Sequence, residues 1–335
     1  MQWDLIFSNA IYAALAVNAI GYALIAAGLN VHFGYTGLLN FGQAGFAAIG
    51  AYVIAVPIAR YDWPFWAAVP LILVGGVVFA LLLGVPTLRL RADYLAIVTI
   101  AAAEVIRLFL SSERFRWLLG GTDGLQRFTG DVESLNPLSD TRYRVWSQSF
   151  SNYDLFMIIV GWTLVVLVSL LVYLLMRSPW GRVLKSIRED EDAARSLGKN
   201  TFMYKMQSLM LGGVIGALGG TVIAVGNRAA QPGNYAPTLT FFAYTILILG
   251  GVARVKGPII GAMIFWFTIT FVDNVLAEAV RTDKIPGWLP NWLEVNGTNF
   301  GQVKYILAGS ALALLVIFRP QGIFGDPREQ VFDVR

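Results

Sequence analysis

The chain has no cysteine and a single histidine, His32. Without cysteine it holds no disulfide framework, no thiol nucleophile and no thiolate-ligated metal. One histidine cannot build a His-rich metal site. Charge is scarce too: 14% of residues are Asp, Glu, Lys or Arg, against about 25% in soluble domains. No GxxxxGK[ST] phosphate loop is present, so the chain does not hydrolyse ATP itself. There is no GxSxG nucleophile turn. Paired carboxylates and histidine clusters are also missing, which argues against an integral-membrane enzyme. A length of 335 residues would allow two soluble domains, but no polar half exists to form one.

What the chain has instead is apolar length. It is 56% hydrophobic, with mean hydropathy +0.62. The fold class this predicts is an all-α integral membrane protein, a polytopic helical bundle. Each helical residue rises about 1.5 Å and the hydrocarbon is about 30 Å thick, so a span takes about 20 apolar residues. Such runs lie at 5–28, 37–59, 65–86, 93–110, 153–176, 205–226, 238–253, 258–280 and 301–318. That predicts about nine (8–10) transmembrane helices in a single domain over 1–335. The stretches 37–50 and 238–262 are rich in Gly and polar residues, and read as broken or re-entrant elements packed within protein. The first run lacks a basic leader and is long, so it reads as a retained span, not a cleaved signal.

The net charge of +4 sits in short loops, where it sets orientation instead of binding nucleic acid. Arg177, Arg182, Lys185, Arg188, Arg195, Lys199 and Lys205 put the 177–205 loop in the cytoplasm. Counting outward, Arg89/Arg91, Arg254/Lys256 and Arg319/Arg328 also fall inside. The N-terminus then lies outside, 111–152 forms an external loop, and 319–335 is a cytoplasmic tail. The 282–300 loop, with Trp288, Trp292, Pro286 and Pro290, reads as a cap or interfacial belt.

The densest run of charge is "SPWGRVLKSIREDEDAARSLGKN", 178–200. Ser178 and Pro179 are a helix start, with Ser at the cap and Pro at the first helical position. Arg182, Lys185, Arg188, Asp192 and Arg195 recur at helical spacing, interleaved with Val183, Leu184, Ile187, Ala194 and Leu197. Gly198 ends the helix. The 178–198 segment is thus predicted to be an amphipathic cytoplasmic helix. By these residues alone it either lies on anionic lipid or docks a soluble partner.

Several polar residues fall inside predicted spans. Glu104 and Arg107 lie three apart, either as a structural ion pair locking this span to its neighbours or as a polar element of a substrate path. Asn40 and Gln43 share one face of a Gly-rich run; they either hydrogen-bond between helices or line a pathway beside unwound backbone. Gly212, Gly216 and Gly220 form small-xxx-small steps for close helix packing, within the chain or against a second subunit. Asp273 and Asn274 fall deep in a span or toward its outer half. Asn227 and Arg228 open an outer loop. His32 borders the first inner loop, where a lone histidine is more often a loop or interface residue than a proton relay.

The run "DAARSLG" (Asp192, Ala193, Ala194, then Gly198) resembles the E-A-A-x-x-x-G loop of ABC importer permeases, with Asp in place of Glu. The longer segment is similar to the coupling segment of branched-chain amino acid permeases of the LivM type. "GYTGLLNFGQAGFAAIGAY" (34–52), "RADYLAIVTIAAAEVIRLFL" with "GGTDGL" (91–110, 120–125), "GGVARVKGPIIGA" (250–262) and "RPQGIFG" (319–325) resemble further blocks of that family, in order.

The resemblance implies a non-catalytic permease subunit in a bacterial inner membrane. It implies a second permease of the LivH type, two ATPase subunits that use ATP and Mg, and an external substrate-binding protein as partners. The permease itself would bind no cofactor and would touch lipid. Arg182, Lys185, Arg188, Asp192, Ala193, Ala194 and Gly198 would couple it to the ATPase, while Asn40, Gln43, Glu104 and Asp273 are pathway candidates. Close relatives serve urea and other amino acids, so branched-chain amino acids are the first substrate expectation and urea the second. A secondary transporter or channel independent of ATP is the alternative of a different class; it leaves the 178–198 helix without a role.

Overall fold

The computed structural model describes residues 3–90, 92–138, 143–145, 148–282, 306, 309–310 and 322–324. Among the described residues the α-helices run in order: α1 (Trp3–Leu15), α2 (Val17–Leu29), α3 (Gln43–Tyr61), α4 (Phe65–Thr87), α5 (Ala92–Leu110), α6 (Arg116–Leu119), α7 (Gly130–Ser134), α8 (Asn152–Arg177), α9 (Pro179–Glu189), α10 (Glu191–Ser196), α11 (Thr201–Gly226), α12 (Pro237–Gly250) and α13 (Gly257–Thr282). Sheet among the described residues is limited to two short antiparallel ladders. One pairs β1 (Leu125–Gln126) with β4 (Ala229–Ala230); the other pairs β2 (Tyr143–Val145) with β3 (Gln148–Phe150). Among the described residues, six helices are long and apolar enough to cross a membrane. They become seven if α5 and the bent extension Glu113–Leu119 count as one span.

The core is built around α11. Its glycines let backbones meet where any side chain would collide. A Cβ at Gly212 would strike the Gly28 carbonyl of α2; one at Gly220 would strike the Ala47 carbonyl of α3. Gly76 of α4 approaches Val214 in the same way. Small residues allow this in a membrane, where lipid tails are as apolar as Leu and close packing holds helices together. The Gly212, Gly216 and Gly220 steps thus pack within the chain, against α2 and α3.

Three predicted spans differ in detail. The 5–28 run is not one helix: Ala16 is extended, with φ −70° and ψ 169°, and splits it into α1 and α2. The Trp162 indole donates to the Leu15 carbonyl (3.0 Å), satisfying a backbone group freed by the break. α1 packs on α13, with Phe7 against Phe271 and Asn9 hydrogen-bonded to Asn274. The 37–59 run becomes helical only at Gln43. α12 has 14 residues and rises about 21 Å, too short to cross alone. The predicted span 301–318, the 319–335 tail and the 282–300 loop lie outside the described residues, apart from isolated positions.

The loops fall into two groups. Leu88, Leu90, Thr36–Leu39, Ile187, Glu191 and Lys205 line one cavity at one end of the bundle. At the other end Arg60 donates to the Leu118 and Arg116 carbonyls, Arg228 pairs with Glu133 (3.3 Å), and Asn227 donates to Asn18 (3.4 Å). The 178–200 segment and the 111–138 segment therefore lie at opposite ends.

Candidate functional site

The charged segment is two helices, not one. α9 starts with Pro179 at its first position, as predicted, but the Ser178 hydroxyl donates back to Leu175 O (2.7 Å) and caps nothing. Asp190 is extended and breaks the helix. Its carboxylate accepts from the Asp192 and Ala193 backbone N–H groups (both 2.9 Å), making it the side-chain cap of α10. Gly198 closes α10 at φ +78°, where a side chain would be strained. Gly181, Leu184, Ile187 and Ala194 are buried, so this is the face against the bundle, while Arg182, Asp192 and Ala193 are exposed.

The basic residues divide by direction. Arg182 faces outward. Arg188 turns inward: its Nη1 donates to the Gly34 carbonyl (2.6 Å), and its stem packs on Gly37, whose φ is +75°. A Cβ at Gly37 would lie 3.2 Å from Arg188 Cγ. The Lys185 ammonium lies 5.9 Å from the Tyr35 ring centroid. From α10, Glu191 pairs with Lys205 of α11 and with Arg195 (3.1 Å). Burial pushes the Glu191 carboxyl up, but hydrogen bonds from Lys205 and Thr201 and the Arg195 charge hold it below the usual carboxylate range.

Arg188 and Lys185 reach the unwound segment between α2 and α3. Asn30–Gly34 is a π-helical turn after α2, and residues 35–42 are non-helical. Side chains satisfy the freed backbone groups. Thr36 Oγ1 donates to Val31 O (3.0 Å), Ser208 to the same carbonyl (3.2 Å), and the Tyr244 hydroxyl to Asn40 O (3.0 Å). Thr99 of α5 accepts from Phe41 N–H and Thr240 of α12 from Ala44 N–H (both 2.9 Å). Asn30 spans the break after α12, donating to Arg254 O (3.0 Å) and accepting from Ala253 N–H (2.9 Å). Unwound backbone survives at membrane depth only when protein satisfies it in this way.

Asn40 and Gln43 both lie here, fully buried. Gln43 Nε2 donates to Ile25 O (3.1 Å) and Gly212 O (3.3 Å), so its Oε1 accepts from His32 Nε2 (3.1 Å). All of its groups serve contacts between helices. Asn40 Oδ1 accepts from Gly42 N–H (2.8 Å), while Asn40 Nδ2 and His32 Nδ1 have no partner among the described residues. Of the loop or interface position expected for His32, the structure has the second: the π turn carries it into the core, against Gly212 of α11.

Glu104 and Arg107 form a bidentate pair (2.8 and 2.5 Å) on α5 alone, with side chains 34% and 25% exposed. The pair locks α5 to no neighbouring helix among the described residues, because it lies on the open flank of α5. Asp273 is half-buried on α13, beside Asn274, whose Oδ1 holds Asn9 of α1. Arg228 stacks over Tyr153 (4.2 Å) and pairs with Glu133, so it is held within the chain. At the same end a cavity of about 280 Å³ is lined by Asn18, Tyr22, Asn227, Asn234, Phe242 and Trp266, among others.

Sequence reading missed Asp190, Asn30, Thr99, Thr240 and Tyr244. Asp190 carried a signal, an acidic cap ahead of an acidic first turn. The others carry none, since each acts on a backbone distant in sequence.

Residues 11–292 match the family described as branched-chain amino acid transport system / permease component. The chain belongs to that family. It is 30% identical to the high-affinity branched-chain amino acid transport system permease protein LivM of Salmonella typhimurium, over 95% of this chain and 71% of that one. Identity to the LivM permease of Escherichia coli is 29%, over 92% and 69%. To the probable LivM permease of Methanocaldococcus jannaschii it is 24%, over 91% and 90%. No solved structure matches the chain. The likeness read from the ordered motifs thus extends across most of the chain. A multi-pass membrane permease is the class to which the family and the apolar helices both point.

Proposed function

We propose that the chain is the transmembrane permease subunit of an ABC importer for branched-chain amino acids. Partner ATPase chains use ATP and Mg, a second permease of the LivH type completes the membrane part, and an external binding protein delivers the cargo. The 178–198 segment is the ATPase-docking element, which sets it in the cytoplasm. The 111–152 segment and the N-terminus then lie outside, the C-terminal tail lies inside, and a bacterial inner membrane is the setting.

The observation that carries the reading is the bond from Arg188 to the Gly34 carbonyl. Through it α9 reaches directly into the unwound segment 30–42. The outward groups Arg182, Asp192 and Ala193 meet the ATPase; the inward groups Lys185 and Arg188 pass its movement on. Segment 30–42 is bonded to α5 through Thr99 and to α12 through Tyr244, and Thr240 of α12 holds the Ala44 N–H just beyond it. A shift of α9 therefore alters the helices around the break, and nucleotide biases two arrangements of the pathway by contacting them differently. Asn40 adds an amide nitrogen with no partner among the described residues, a candidate contact for passing substrate. Asp273 is the corresponding candidate nearer the outer end.

The test is ATPase activity of the chain co-purified with its partners in lipid, with the binding protein loaded with leucine, loaded with urea, or empty. Stimulation by the leucine-loaded form supports both mechanism and cargo. Stimulation by urea alone keeps the mechanism and changes the cargo. If no ATPase co-purifies, transport independent of ATP replaces this reading.

A further inference from the structure

The open flank of α5 carries an inference that rests on the importer reading and deepens it. α5 buries Leu95, Thr99, Ala103 and Leu110. Its other side is open, with Tyr94, Ile97, Val105 and Leu108 between 55% and 64% exposed. Glu104 and Arg107 stand at the edge of that open side. Leu110 closes the helix six residues beyond Glu104, about 9 Å away, so the carboxylate lies well inside the apolar span.

Full charges at that depth are costly against hydrocarbon, and in membrane proteins they face protein or water-filled space. Pairing lowers the cost without removing it, because both groups keep a quarter to a third of their surface open. α8 shows what a lipid-facing helix of this chain looks like. Its exposed residues include Ile159, Val166, Leu167, Leu170 and Leu174, and no charged residue lies between Asp154 and Arg177. The two open faces are therefore different in kind.

We propose that the Glu104–Arg107 flank of α5 lines the aqueous translocation path, closed on its far side by the second permease subunit. A closed ion pair suits a zwitterionic amino acid. It offers both signs of charge without the deep trap of a lone ion, and passage requires binding weak enough to release. Phe41 N–H is hydrogen-bonded to Thr99 on the same helix, so the segment touched by α9 is tied directly to this wall.

The absence of cysteine makes the test clean for this chain. Ala101→Cys and Val105→Cys on α5, and Leu167→Cys and Leu170→Cys on α8, are placed singly in the whole complex. Any cysteines in its other chains are first replaced by serine. The probe is a membrane-impermeant cationic methanethiosulfonate. The α5 positions are expected to react at least about ten-fold faster than the α8 positions, since water reaches only the former. Equal rates at the two helices overturn the proposal and assign α5 to lipid. As a second measurement, Glu104→Gln combined with Arg107→Gln should preserve assembly and lower transport. Unchanged transport overturns the proposal as well. Leucine-stimulated ATPase activity in the cysteine-free parent checks the importer reading separately, so loss there is distinguishable from failure of the α5 assignment.

Discussion

α8 and α11 are both 26 residues long, yet they meet opposite surroundings. α8 is the more hydrophobic of the two. It is also the less buried: 7 of its 26 residues are buried, against 16 of 26 in α11. In water that order would be reversed. In a bilayer a Leu gains nothing by leaving lipid, so hydropathy does not choose the interior helix. Close approach does, and α11 supplies Gly212, Gly213, Gly216, Gly219 and Gly220 for it.

The largest effect that would test this contrast is Gly216→Leu. A side chain there enters the space of the Gln43 amide, which is bonded to Ile25 O, Gly212 O and His32. Overpacking against a buried amide held by three hydrogen bonds costs about 3 kcal/mol. The expected result is loss of monodisperse protein after detergent extraction, or a lowered melting temperature in whatever survives. A normal melting temperature would show that α11 does not pack as described.

A smaller effect, on transport more than folding, is expected from Arg188→Ala. It removes the bond to Gly34 O and leaves the buried face of α9, Gly181, Leu184 and Ile187, in place. Transport should fall about ten-fold while basal ATPase activity persists, the size of a typical coupling free energy between two sites. Arg182→Ala on the exposed side should weaken ATPase association instead. Equal phenotypes for the two would contradict the inward–outward division of α9.

The same contrast explains what could be read from sequence. Helical class, membrane setting and the amphipathic α9 follow from spacing and composition, because Leu184 and Ile187 lie three apart on a charged helix. The breaks do not. Nothing in "AALAVNAIG" marks Ala16 as extended, and the carbonyl it frees is answered by Trp162, far along the chain. The sequence left His32 between loop and interface because the π turn that buries it depends on Ser208 and on Asn30 bonded across to Ala253. Glu104 and Arg107 were legible as a pair by their i,i+3 spacing. Which surface the pair faces is set by tertiary packing that spacing does not encode.

The link between α10 and α11 gives a modest pH effect. Glu191 titrates below its usual range because Lys205, Thr201 and Arg195 outweigh the burial that raises it. A carboxyl depressed in the folded state stabilises above its unfolded value, near 4.5, and loses that contribution as pH falls through the folded value. The tie is therefore intact at neutral pH and weakens only in acid. Glu191→Gln should remove the acid-dependent part of the melting curve at a cost below about 1 kcal/mol, since the pair is partly solvent-exposed. A pH response centred near neutrality would point to another group.

The smallest effect belongs to the outer face of α8. Leu170→Ala removes a side chain that is 52% exposed and touches lipid rather than the core. Hydrocarbon surrounds it before and after helix association, so no transfer term is lost and the change should stay within about 0.5 kcal/mol. Val168→Ala, two residues away on the buried stripe of Met157, Gly161, Val165 and Val172, leaves a cavity and should cost about 1 kcal/mol or more. Measuring both by thermal unfolding in the same lipid separates the faces of one helix. If Leu170→Ala costs as much as Val168→Ala, the outer face of α8 packs against protein, and its use as the lipid-facing reference for α5 falls with it.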